Sequence, residues 1–116
     1  MPPTGSDQAT PPPFLAAARK SFINLAAARV LAIEAIRQDL GRGTAIADGL
    51  AQIAAIAHQV AGVAATLGYA DLGSRAGRID RTFKAVDAHQ PAAAVWRQAQ
   101  PELEAMLDAL EAVLDD

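Results

Sequence analysis

The chain contains no cysteine, which removes disulfides, thiolate metal sites and cysteine nucleophiles from consideration. Aromatic residues make up only 4% of its 116 positions, so any core must be built from aliphatic and small side chains. Positive charge is scarce as well: Lys and Arg total 10 against 13 Asp and Glu, a formal net charge of −3 with a pI near 5.2. Proteins that hold nucleic acid usually carry a basic footprint for the phosphates, and this balance argues against them. No apolar run approaches the roughly 18 residues that cross a bilayer. The N-terminus lacks the basic start and apolar stretch of a secretory signal. A cytoplasmic protein with no membrane partner is expected. No segment shows the period-two alternation of a strand.

Alanine is what the chain has in excess, at a quarter of all residues. It is the best helix former, and its small side chain lets helices approach closely. A chain of this length makes one domain with one modest core. Residues 1–13, MPPTGSDQATPPP, are polar and proline-rich and read as a disordered tail. Residues 14–116 form the single domain.

Apolar periodicity divides that domain into helices. The first runs from about Phe14 to Leu40, with Leu15, Phe22, Leu25, Val30, Ile33, Ile36 and Leu40 on its inner side, and stops at Gly41-Arg42-Gly43. Thr44 is a plausible N-cap for the second, with Asp48 in its early turns. There Ile46, Leu50, Ile53, Ala57, Val60, Ala64 and Leu67 make a bundle seam that ends at Gly68. The third spans about Tyr69 to Ala88, with Leu72, Ala76, Ile79, Phe83 and Val86 inward. The tight connection at Gly68 makes it an antiparallel neighbour of the second. Pro91 suits the first position of a fourth helix, whose seam is Trp96, Ala99, Leu103, Met106, Leu110 and Val113. Pro101 either kinks this helix or starts a new one. The fold expected is an all-α, antiparallel four-helix bundle, with a kink or an extra short helix at Pro101.

One outward face is unusual. At about 100° per residue, His58 lies roughly 120° from the centre of the second helix's seam. Around it stand Ala51, Ala55, Gln59, Gly62 and Ala65, where an exposed helix face normally carries Lys, Glu and Arg. A partner could reach the imidazole without displacing long side chains. Gly62, one turn after His58, removes the last side chain beside the ring. Glycine inside a helix costs about 1 kcal/mol relative to alanine, which calls for a compensation. A close helix crossing, or mere tolerance of glycine in an alanine-rich sequence, would account for it equally well.

Ala57-His58, Gly62, Ala64, Leu67-Gly68, Leu72 and Ile79 together resemble the signature of histidine-containing phosphotransfer (HPt) domains, approximately AHxxKGxAxxxGxxxLxxxxxxL with an acidic residue at its end. Asp80 matches that ending. The resemblance implies a helical bundle whose outward histidine takes a phosphoryl group from a receiver-domain aspartate and passes it to another. His58 would be the phosphoacceptor, and Gly62 the small residue that lets the receiver approach. The family's frequent lysine three residues after the histidine, credited with supporting the phosphoryl charge, is Ala61 here. Folding the second and third helices about Gly68 brings Arg78, Asp80, Arg81 and Lys84 near the level of His58. Lys84 and Arg81 are the candidates to pair with the phosphoryl group through charge-assisted hydrogen bonds.

Phosphoryl transfer rests on positioning and charge stabilisation, and an exposed imidazole is largely unprotonated near pH 7. The chain shows no phosphate-binding glycine loop and no carboxylate cluster for Mg²⁺. A phosphocarrier without a cofactor of its own is therefore expected, not an enzyme, with Mg²⁺ on the partner. The partners implied are receiver domains of response regulators or of a hybrid histidine kinase, met by a monomer. The competing reading is an adaptor or dimerisation bundle whose histidine is incidental. A metal or haem bundle lacks its Glu-x-x-His pairs, since the other histidine, His89, lies near a helix end.

Overall fold

A computed structural model describes residues 12–86 and 91–115. Among these residues there are four helices and no strand: α1 Pro13–Gly41, α2 Ile46–Thr66, α3 Ala70–Lys84 and α4 Ala92–Val113. Pro13 opens α1 and Pro91 stands as the N-cap of α4, where a missing N–H costs nothing. The expected tail, apart from Pro12 and Pro13, and His89 lie outside the described residues.

One apolar core runs through the bundle. Leu50, Ile53, Ala57, Val60, Ala64 and Leu67 are buried along α2, as are Leu72, Ala76, Ile79 and Phe83 along α3. From α4 come Val95, Ala99, Leu103, Met106, Leu107, Leu110 and Val113. The α2 and α3 seams follow their heptad-like spacing closely, since each helix has neighbours on its inner side throughout its length. α1 is different. It buries only Phe22, Ala26, Ile33 and Leu40, and Leu25, expected in the seam, is 40% exposed. Ala26 takes the inward position because a residue with almost no bulk allows α1 to lie close. Trp96 is likewise only half-buried, and Val95 beside it enters the core.

Both turns that matter end in glycine with positive φ. At the end of α2, Gly68 (φ 91°) lets the Tyr69 N–H reach the Ala64 carbonyl at 2.8 Å and its own N–H reach that of Ala65 at 3.3 Å. This paired closure is the Schellman motif. α1 ends the same way: Gly43 has φ 75°, and the Thr44 N–H donates to the Asp39 carbonyl at 3.1 Å. That use of Thr44 overturns its expected role as the α2 N-cap. Its backbone is committed to closing α1, so the cap falls to Ala45, which takes the left-handed conformation (φ 46°, ψ 49°) with no side-chain hydrogen bond.

One further boundary differs from expectation. α3 stops at Lys84, where the Ala85 N–H folds back to the Thr82 carbonyl at 3.3 Å. Val86 then leaves the helix and lines a groove beside Phe83. Of the two outcomes expected at Pro101, the start of a new helix does not occur: α4 continues through it as one helix. The proline ring is exposed, and Ala99 and Leu103 are buried on either side, so both halves pack on the same core. α2 also corrects the reading that no segment could span a bilayer, because by length and composition alone its 21 residues qualify. Its apolar side, however, is the wall of the core, and Asp48, Gln52, His58 and Gln59 lie on the exposed side.

Left-handed backbone is costly for a residue with a Cβ and nearly free for glycine. Ala45→Gly is expected to raise stability by about 1 kcal/mol. Thermal unfolding should show this as a midpoint rise of roughly 4–8 °C.

Candidate functional site

The site is made by the closeness of α2 and α3, the pair in most extensive contact. Gly73 of α3 sits against α2: a Cβ placed on it would stand 3.3 Å from the Ala65 nitrogen and 3.6 Å from the Ala61 carbonyl. With the turn at Gly68, this contact aligns the helices so that His58 of α2 meets Asp80 of α3.

The His58 side chain is 69% exposed, and its Nδ1 lies 2.9 Å from Asp80 Oδ2. An ionised carboxylate only accepts hydrogen bonds, so Nδ1 carries the proton and donates it. The tautomer is then fixed, and Nε2 is left with a free lone pair. Asp80 is the sheltered partner at 14% exposed, and Lys84 Nζ lies 2.8 Å from its other oxygen, Oδ1. Burial pulls the Asp80 carboxyl upward, but hydrogen bonds from Lys84 and His58, and their charge, outweigh it. The net effect holds Asp80 below its ordinary value of 3.8.

Beside the ring runs a groove of about 580 Å³, lined by Ala47, Ala51, Ala54, Ala55, His58, Gln59, Phe83, Lys84 and Val86. Of the residues read from sequence as surrounding His58, Ala51, Ala55 and Gln59 line this groove. Gly62 is exposed, and a Cβ on it would meet nothing within 4 Å. No helix crossing requires this glycine. Ala65 belongs to the α2–α3 contact, where its Cβ would be 3.4 Å from one on Gly73. Ala61, at the lysine position, is half-buried against the core. Of the two cations proposed to compensate, Lys84 joins the site through Asp80, whereas the Arg81 guanidinium lies near Gly77 on its own helix.

Two residues hold parts in the site that the sequence did not assign. Asp80 was placed near the level of His58 and at the acidic end of the motif, but its hydrogen bond to the ring depends on the fold of α2 onto α3. Arg29 comes from α1, and its Nη2 donates to Gln59 Oε1 at 2.6 Å. No local signal joins residues 30 positions apart. Among the described residues, no group of three or more His, Asp and Glu side chains is placed to hold a metal ion.

The chain matches the Hpt domain family over residues 19–113. It belongs to that family. No curated protein and no solved structure gives a significant match. Membership means histidine phosphotransfer in phosphorelays, as a carrier alongside the receiver domains of two-component systems. Within this Hpt domain the matched span contains all of α2 and α3, and with them His58, Asp80 and Lys84.

A carboxylate held below its ordinary value adds stability above the unfolded value, and that increment is lost as pH falls through the folded value. Asp80 is such a group. The stability advantage of wild type over Asp80→Asn is therefore expected to be full above about pH 5 and to shrink as pH falls below 3.8. Denaturation midpoints of the two proteins, measured against pH, check this. Parallel curves would remove the coupling.

Proposed function

We propose that His58 accepts a phosphoryl group from a receiver-domain aspartate and passes it to a second receiver. The observation that carries this reading is an exposed imidazole whose Nδ1 is held by Asp80 at 2.9 Å. The Nε2 lone pair attacks phosphorus, the bond from phosphorus to the receiver's carboxylate oxygen breaks, and that carboxylate leaves with the electron pair. Because Nδ1 keeps its proton, the phosphorylated ring is cationic, and the adjacent Asp80 carboxylate balances that charge. Transfer to the next receiver is the same displacement in reverse, with no net proton change.

The bare face about His58 lets a receiver come close, as Gly62 and the groove alanines present no long side chains. Lys84, 58% exposed beside Asp80, supplies positive charge where Ala61 does not. The domain needs no cofactor of its own in this scheme, since the receiver brings Mg²⁺ with its aspartate. It acts as a monomeric carrier in the cytoplasm, between a hybrid histidine kinase or one response regulator and the next.

The test mixes the domain with receiver domains from its source, charged by acetyl phosphate. An acid-labile, alkali-stable label is expected on wild type and is expected to vanish in His58→Gln with the helical circular dichroism unchanged. A domain that no receiver labels would be an adaptor instead. Gly62 gives a second check. Gly62→Ala has room for its methyl group and is expected to stabilise the fold by about 0.5–1 kcal/mol while transferring normally. Gly62→Gln is expected to keep the fold and slow transfer at least tenfold, read as label per unit time.

A further inference from the structure

We propose that Arg29 is a docking residue for the acidic mouth of the partner receiver, an assignment that rests on the relay reading of His58. The guanidinium lies across the junction of α1 and α2, where Nη2 donates to the neutral amide of Gln59. Its Nε is shut off from solvent without a hydrogen-bond partner. Among the described residues no carboxylate pairs with it. A half-buried cation facing only an amide is an incomplete arrangement, since burying charge is costly unless an opposite charge offsets it. A carboxylate from outside the chain would complete it.

Placement says which anion. Residue 59 follows His58, but a step of about 100° along the helix turns it toward α1 while His58 turns toward α3. Arg29 and the Asp80–Lys84 pair thus stand at opposite edges of one face, with the ring at the α3 edge. From its edge the guanidinium serves the body of the partner and leaves the transferring group to the other side. Lys84 stands with Asp80 at the α3 edge, and Arg29 is the cation at the α1 edge. A receiver that donates from an aspartyl phosphate must hold a divalent cation, and so presents carboxylates around its site. Its rim is complementary to Arg29.

The same edge offers an apolar step. Arg29 pairs with Gln59, and Arg19 Nε donates to the Leu67 carbonyl at 2.9 Å. This fixes α1 and α2 as antiparallel, in a register that sets Leu25 opposite Val63, one turn from the Arg29–Gln59 level. Leu25 is 40% exposed and Val63 42%. A cation beside two exposed aliphatic residues is a small docking patch with a charged rim.

Transfer from a charged receiver is measured over a range of receiver concentrations. Arg29→Gln is expected to raise the half-saturating receiver concentration at least fivefold and leave the maximal rate within twofold. Arg29→Lys should fall close to wild type, and added salt should weaken wild type more than Arg29→Gln. Gln59→Glu supplies an internal carboxylate that holds α1 to α2 while cancelling the free charge. It should raise half-saturation similarly with an unchanged or higher thermal midpoint. An unchanged half-saturation in Arg29→Gln, with only the thermal midpoint lowered, would reduce Arg29 to a staple between helices. A fall in maximal rate alone would place it on the phosphoryl group instead. Either result overturns the docking role while His58 still takes label; a wild type that takes none removes the relay reading as well.

Discussion

The contact between α2 and α3 is the constraint on which the rest of this molecule depends. Gly73 allows the two backbones to come close against Ala61 and Ala65, and Gly68 reverses the chain in a closed turn. Once these are set, His58 and Asp80 must face each other. A side chain on Gly73 would have to move α2 or α3 by some tenths of an ångström, and a hydrogen bond of 2.9 Å leaves little slack for that. The exposed ring is thus held from beneath, by a helix neighbour that is itself sheltered from water.

That support divides labour within the site. Asp80 fixes which nitrogen bears the proton and sets a negative charge against the ring. Lys84 keeps Asp80 ionised and offers a positive charge at the surface. Among the described residues the imidazole makes no second hydrogen bond, which leaves its other nitrogen open. Alanine serves the same end on both sides of the helix: inward, Ala54, Ala57 and Ala64 let neighbouring helices approach, and outward, Ala51 and Ala55 leave the face open.

Reading by periodicity succeeded where a helix has neighbours along its whole length, as the burial of Leu50, Ile53, Ala57, Val60 and Ala64 shows. It failed for Leu25 because α1 lies at the edge of the bundle, and hydrophobicity does not say which of two adjacent residues the neighbour will cover. It failed at Thr44 for another reason. A residue well suited to cap the following helix was already engaged in closing the preceding one, and the two demands compete for the same backbone. Pro101 left a choice that only packing on both sides could resolve.

By itself the sequence determined that the chain is helical, which residues make the α2 and α3 seams, and that His58 points outward. These follow from propensities and spacings local to each helix. It also carried the motif of the Hpt family in legible form. The tertiary structure alone decided the distances between helices, and so the Asp80 carboxylate under the ring, the Lys84 ammonium behind it and the Arg29 guanidinium at the far edge. Such pairings depend on how helices separated by tens of residues are aligned against one another, a register settled by the packing of the whole core.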